Sequence, residues 1–276
     1  MSEKYPPEKI KKANVEYHAR MANSYDREQP HYRPENIKRV EGVIRNLAET
    51  YGNLSLLDVG CGTGFILNIA KKYFNRVVGI DITQAMLDKV DLSSGNVELR
   101  LTESSKMPFD DAAFDICTAY GFLHHLPELE STFKEIFRCL KYGGVFYADQ
   151  DPNCYCWKEV DKLGEEKYSE ILQSEISSMR NIQVELKRKY DLDENIVKLA
   201  EFQKLIGGGM REESIDRTLR RVGFSEVHFE YQWFLGQGYV LHNISEEAAN
   251  HIENHLRRLL PLSRNLFKYL SFVAKK

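Results

Sequence analysis

Leu56-Leu57-Asp58-Val59-Gly60-Cys61-Gly62-Thr63-Gly64 is the stretch whose reading decides the fold. An apolar run with the pattern of a buried strand enters a glycine-rich turn, and Phe65-Ile66-Leu67 opens a helical pattern directly behind it. Glycine in such a turn takes positive φ and lets a ligand approach the backbone closely. The helix start behind it offers free N–H groups. The spacing G-x-G-x-G differs from the dinucleotide fingerprint G-x-G-x-x-G. A Walker-type phosphate loop is excluded, because no Gly-Lys-Ser/Thr follows the turn. Taken alone, the stretch is a tight strand-to-helix connection and nothing more.

Working outward, short apolar runs alternate with helical patterns. Strands are predicted at Ser55–Val59, Arg76–Ile80, Val97–Leu101, Phe114–Tyr120 and Gly144–Ala148, and later at Phe224–Phe234 and Tyr269–Ala274. Helices are predicted at Phe65–Tyr73, Thr83–Val90, Leu129–Leu140 and Ser214–Val222, and at Ser245–Leu260 with Ser245 as N-cap. Strands alternating with helices imply crossover connections. The fold class is therefore α/β: a Rossmann-like, doubly wound, seven-stranded and mostly parallel sheet with helices on both faces.

Upstream, Ile10–Met21 reads as a helix. Ile37, Val40, Val43, Ile44, Leu47 and Ala48 mark one face of a second helix, which Gly52-Asn53 should end. Tyr25 to Pro34 between them reads as a loop. From Asp151 to Gly209 the rhythm breaks into charged helical patterns, with Leu172, Ile176, Met179, Ile182 and Leu186 on one apolar face. This segment leaves from the C-terminal end of a strand, where open α/β sheets bind ligands. It is expected to cap that site. The chain thus divides into an N-terminal helical cover (1–53), a central core (54–150), a helical cap insertion (151–209) and the rest of the core (210–276), all in one domain.

Composition bounds the function. The 276 residues hold 38 Lys+Arg against 41 Asp+Glu, a net charge of −3, which gives no footprint for tight nucleic-acid binding. No apolar run reaches the roughly 20 residues a membrane span needs. The N-terminus, Met1 to Lys12, lacks the apolar core of a secretion signal. Five cysteines make a disulfide framework a poor expectation, so a cytoplasmic location is expected.

Three placed features suggest a nucleoside-bearing ligand. Asp81 stands at the end of the second strand, where a carboxylate can accept both hydroxyls of a ribose, although it would serve equally as cap of the next helix. Glu103 can accept from an exocyclic amine and the Ser104 N–H can donate to a ring nitrogen. Asp81 and the glycine turn together outweigh their separate structural explanations, whereas the Glu103–Ser104 segment taken alone reads better as a charged loop.

The chain resembles the class I S-adenosylmethionine-dependent methyltransferases, in the small-molecule (type 11/25-like) branch. The resemblance rests on Leu57-Asp-Val-Gly-Cys-Gly-Thr-Gly64, Val78-Gly-Ile-Asp81, Glu103 to Phe109, Phe114 to Pro127, Arg138 to Gly144 and Val222-Gly-Phe224. It implies S-adenosylmethionine as cofactor. Gly60, Cys61, Gly62 and Gly64 would wrap its carboxypropyl part, and Asp58 would orient the turn or reach the amino group. Asp81 would hold the ribose and Ile82 would stack on adenine, with Glu103 and Ser104 reading its edge. Tyr120 and Leu123 would lie near the sulfonium, and Tyr25 would close over it.

His124 is the weak candidate for a catalytic base, facing the pocket while His125 packs below; the alternative is that neither acts. Cys154 and Cys156 lack a second pair for a metal site. The favoured reading of Asp149, Asp151 and Asn153 is a solvated loop, against substrate contact or a divalent cation. Tyr155, Trp157, Tyr231, Trp233, Phe234 and Tyr239 would line an apolar substrate pocket or seal the cap. The expected partner is a small-molecule methyl acceptor. The alternatives are a protein or nucleic-acid methyltransferase and a non-catalytic binding module.

Overall fold

The computed structural model describes residues 5–51, 55–162 and 170–276; the expected helix stop at Gly52-Asn53 lies outside them. The N-terminal part is helical: α1 (Pro7–Met21), α2 (Tyr25–Glu28) and α3 (Pro34–Tyr51). The stretch between α1 and α3 is not a plain loop. It holds α2 and a 3-10 turn over Pro30–Tyr32.

The alternating core follows as β1 (Ser55–Val59), α4 (Phe65–Ala70), β2 (Arg76–Asp81), α5 (Gln84–Leu87), β3 (Val97–Leu101), β4 (Phe114–Tyr120), α6 (Glu130–Cys139) and β5 (Leu140–Pro152). Four helices come next: α7 (Cys154–Lys162), α8 (Glu170–Arg180), α9 (Ile182–Tyr190) and α10 (Glu194–Ala200), then a π-helical turn at Phe202–Ile206. The chain closes with α11 (Glu212–Val222), β6 (Ser225–Phe234), α12 (Gln237–Asn243), α13 (Glu246–Arg258) and β7 (Phe267–Lys275). Ser245 caps α13 as expected, its hydroxyl accepting from Ala248 N at 3.0 Å.

The seven strands form one sheet in the order β3-β2-β1-β4-β5-β7-β6. β1 to β5 pair in parallel, and β7 inserts antiparallel between β5 and β6. Alternate strand residues feed two apolar layers, as the period of two requires. Leu57, Val78, Cys117 and Phe146 pack with α6 and α11 through Phe133, Ile136, Ile215 and Leu219. Their neighbours Leu56, Val77, Ile116 and Val145 pack with α3 and α4 through Val40, Ile44, Ile66 and Ala70. The strand order reverses between β1 and β4, which opens the crevice where such sheets bind ligands.

The insertion does not have one continuous apolar face. Asn181 interrupts the helix, so the expected stripe divides between two clusters. Leu172, Ile176 and Met179 pack with Cys156 and Val160. Ile182 and Leu186 join Leu192, Val197 and Ala200 against Tyr17 and Met21 of α1. The insertion therefore braces the N-terminal helix. Among the described residues no helix is long and apolar enough to cross a membrane.

Leu192 is fully buried at the centre of that brace. Leu192→Ala should cost about 2–5 kcal/mol locally. Hydrogen exchange is expected to report loss of protection in α1 and α10 together while β1 and β4 amides stay protected. Unchanged protection of α1 would refute the brace.

Candidate active site

The turn after β1 is tied to β2. The amides of Gly60 and Cys61 both donate to Ile80 O at 2.9 Å. Gly62 N donates to Asp81 Oδ2 at 3.0 Å, and Thr83 N to Asp81 Oδ1 at 2.8 Å. Asp81 thus starts the next helix and braces the turn at once. An ionised carboxylate offers about four acceptor sites, so each oxygen keeps capacity for a ligand. Gly60 and Gly62 have φ of 73° and 54°. A Cβ on Gly60 would lie 2.0 Å from the Phe122 ring, whereas one on Gly62 would meet only Met86 Cε at 3.4 Å. Gly60 is needed for packing, and Gly62 gives open backbone beside the crevice.

A cavity lies over this turn. Its wall includes Tyr25, Asp58, Gly60, Cys61, Gly62, Asp81, Ile82, Glu103, Ser104 and Tyr120, all singled out in the sequence. Two expected members are absent from it. Gly64 starts α4 in a left-handed conformation, its missing Cβ pointing at Val90. Leu123 is fully buried in the core, because the 3-10 turn Leu123–His125 rotates it inward and leaves Phe122 on the wall.

The same turn reverses the histidine assignment. His125 lines the cavity and His124 does not. His124 lies between two carboxylates, with Nδ1 2.9 Å from Asp151 Oδ1 and Nε2 3.7 Å from Glu201 Oε2. Burial lowers the His124 pKa to about 4 and pushes Asp151 well above the carboxylate range, so both favour their neutral forms. Burial also opposes ionisation of Glu201, but the Lys204 ammonium at 3.0 Å outweighs it and holds Glu201 below the usual carboxylate range. The ligand atoms of His124, His125 and Glu201 lie within 4.8 Å of one another. Lys204 and the Tyr17 hydroxyl already engage Glu201, which makes the group a hydrogen-bond network behind the wall.

The polar cluster after β5 is not a solvated loop. β5 runs on to Pro152, and Asp149, Asp151 and Asn153 are all buried. Asp149 pairs with Arg39 at 2.7 Å, and Asn153 donates to the carbonyls of Arg264 and Phe267. None of the three lines the cavity. Nor do Tyr155, Trp157, Tyr231, Trp233, Phe234 and Tyr239.

The aromatic wall comes instead from the N-terminal segment: Tyr25, His31 and Tyr32, with Phe65 and Tyr120. That segment is clamped to the glycine turn. Thr63 Oγ1 donates to Asp26 Oδ1 at 2.5 Å and meets the Tyr32 hydroxyl at 2.6 Å. The closing helix is α1, whose Pro7, Lys11, Asn14 and His18 recur at helical spacing along the cavity. Among the described residues, none of 151–209 reaches the cavity; the insertion lies outside α1. Lys11 pairs with Glu103 across the mouth.

The donor set suits S-adenosylmethionine. Asp81 offers carboxylate oxygens to the cavity at the tip of β2, and Glu103 with Ser104 gives a polar end. Aromatic faces at the other end favour a cation such as a sulfonium. Asp58 is buried beneath, accepting from Thr118 Oγ1 at 2.7 Å, and burial raises its pKa to about 7.

That shift has a signed consequence. A carboxyl whose folded pKa lies above its unfolded value stabilises the fold at low pH and loses that contribution as pH rises through the folded pKa. Wild type should therefore lose stability relative to Asp58→Asn between about pH 4 and pH 7, then run parallel above. Urea midpoints of both proteins across that range check it; a constant difference contradicts the assignment.

Comparison with known proteins agrees with this geometry. Residues 57–148 match the family described as methyltransferase domain. A demethylmenaquinone methyltransferase of Lactococcus lactis subsp. lactis is 35% identical over 120 residues, 40% of this chain and 48% of that protein. A sterol 4-C-methyltransferase of Caenorhabditis elegans is 30% identical over 118 residues, 41% of this chain and 35% of that protein. Such matches span 35% to 50% of the relatives' own length. A SAM-dependent methyltransferase from Archaeoglobus fulgidus shares the fold, with TM-score 0.52 and 19% identity over 87% of this chain and 94% of that one. The glycine turn tied to the carboxylate at the tip of β2 lies within the stretch that matches the methyltransferase domain, and the chain has the fold of the Archaeoglobus fulgidus protein.

Proposed function

We propose that the protein transfers a methyl group from S-adenosylmethionine to a small-molecule acceptor held in the cavity beneath α1. The observation that carries this is one enclosed crevice at the β1–β4 reversal, polar at Glu103–Ser104 and aromatic at Tyr25–Tyr120. In this reading Asp81 holds the ribose. Glu103 and Ser104 take the adenine edge, once Lys11 yields Glu103. Gly60 to Gly62 and Asp58 hold the methionine end, and Tyr25 and Tyr120 flank the sulfonium. The cofactor supplies an electrophilic methyl. The protein supplies alignment and a water-poor enclosure. Relatives named for sterol and demethylmenaquinone methylation support an apolar small acceptor, as does the near-neutral charge.

Calorimetric titration with S-adenosylmethionine tests the reading, and absence of binding would sink it. Asp81→Ala removes hydrogen bonds to a carboxylate worth about 1.5–3 kcal/mol each. It should weaken cofactor binding at least tenfold while the protein stays folded. Asp81→Asn keeps an acceptor oxygen for the turn and is expected to lose less. Unchanged affinity in a folded Asp81→Ala protein contradicts the ribose assignment.

A further inference from the structure

A second cavity, of about 620 Å³, lies between the start of α7, the turn at 207–209 and one face of α11. That volume is in the usual range of small-ligand sites. Its apolar floor is buried and consists of Cys154, Met210 and Ile215. Its walls carry four cations: Lys158, Arg211, Arg217 and Arg221. Only Glu128 borders both this cavity and the one under α1.

The backbone holds this cavity open. Met210 N donates to Pro152 O at 2.6 Å and Cys154 N to Met210 O at 2.9 Å, so the starts of α7 and α11 are tied together. Gly209, at φ 90°, lets the chains pass closely; a Cβ there would lie 2.6 Å from Cys154 Cα. A Cβ on Gly208 would meet Lys158 Cε at 3.9 Å, which places that side chain along the turn. Ser214, Arg217, Thr218 and Arg221 recur at helical spacing and present one face of α11 to the cavity.

The charges do not cancel. Arg221 pairs with Glu130 at 2.6 Å, and Glu130 also takes Lys134. Among the described residues, none of Lys158, Arg211 and Arg217 forms an ion pair. Arg217 Nε donates to a carbonyl of its own helix, Glu213 O, and Arg211 stands 6.0 Å from the Tyr155 ring. The two acids in the first turn of α11 are turned aside. Glu212 accepts from the Tyr231 hydroxyl, Glu213 from that of Tyr155 and from Arg264, and neither lines the cavity. The one carboxylate on the wall without a cation is Glu128, which accepts from Ser131. Three unpaired cations thus face one acid, in a chain whose net charge is −3.

We propose that this cavity binds the phosphate group of a small ligand. The excess of two positive charges matches a phosphate monoester, which carries about −1.5 to −2 at neutral pH. Two guanidiniums and an ammonium supply the forked and pointed donors that phosphate oxygens take, and the Ser214 hydroxyl adds another. The positive end of α11 lies on the same side. The proposal is independent of the methyl-transfer reading, because it concerns a different cavity and its test needs no turnover.

Calorimetry with inorganic phosphate at constant ionic strength tests it. Wild type should bind with a Kd below about 1 mM. Lys158→Gln, Arg211→Gln and Arg217→Gln should each weaken binding at least about tenfold, the loss of one charge-assisted hydrogen bond. These side chains are not part of the core, so the variants should keep the wild-type unfolding midpoint without phosphate. Arg188→Gln, on the exposed side of α9, should bind like wild type. Saturating S-adenosylmethionine should leave phosphate affinity within about threefold. Weaker wild-type binding, a smaller loss in any one of the three variants, or an equal loss in Arg188→Gln overturns the proposal. Displacement of phosphate by S-adenosylmethionine also overturns it, by placing the anion in the cofactor cavity. A ten-nucleotide single strand that binds more tightly than phosphate, and loses that affinity in the same three variants, overturns it in favour of a nucleic-acid surface.

Discussion

The site depends on how the tip of β2 holds the turn that follows β1. One carbonyl, Ile80 O, receives two amides, and one carboxylate, Asp81, receives two more. Three backbone donors of the tight, positive-φ turn, and a fourth at the start of α5, are satisfied by two adjacent residues. Parallel pairing of β1 with β2 in the register Val59 to Ile80 brings those acceptors alongside. Once the turn is fixed, Thr63 is fixed. Through Asp26 and Tyr32 it then positions the N-terminal aromatic segment. The order runs from sheet register to turn, from turn to segment, and from segment to cavity wall.

The second constraint is the double duty of α1. One face, through Asn14 and His18, borders the cavity, and the other, through Tyr17 and Met21, is buried against α9 and α10. The insertion sets the position of the cavity roof without entering it. The backbone of the 123–125 turn belongs to the same assembly, since Ala200 O holds His125 and Gln203 Nε2 donates to Leu126 O at 2.9 Å. By linkage, whatever binds under α1 and favours its closed position also stabilises the insertion.

The sheet, its two layers and the lower half of the site were legible in the sequence because their signals are local. Strand periodicity, three glycines behind a buried strand, and an acid at the tip of the next strand all lie within a few residues of one another. What stayed hidden depends on tertiary placement. The orientation of Leu123, His124 and His125 follows from one 3-10 turn, and rotation about that turn leaves no trace in apolar pattern. Asp149, Asp151 and Asn153 read as solvent-facing because β5 extends past its apolar run, and their partners Arg39, His124 and Phe267 lie far away in sequence. The broken strand–helix rhythm points to the long insertion as the roof, whereas the roof is α1. A helix apolar on one side and mixed on the other does not tell which side faces a cavity.

The ion pair between Lys11 and Glu103 closes the mouth of the cavity, and both side chains are partly exposed to water. Exposed pairs of this kind contribute about 0–1 kcal/mol. Parting this one raises the barrier to traffic through the mouth by less than a factor of ten, and ordinary salt erodes even that. The buried packing of α1 on the insertion therefore holds the cavity roof more firmly than the charged latch does.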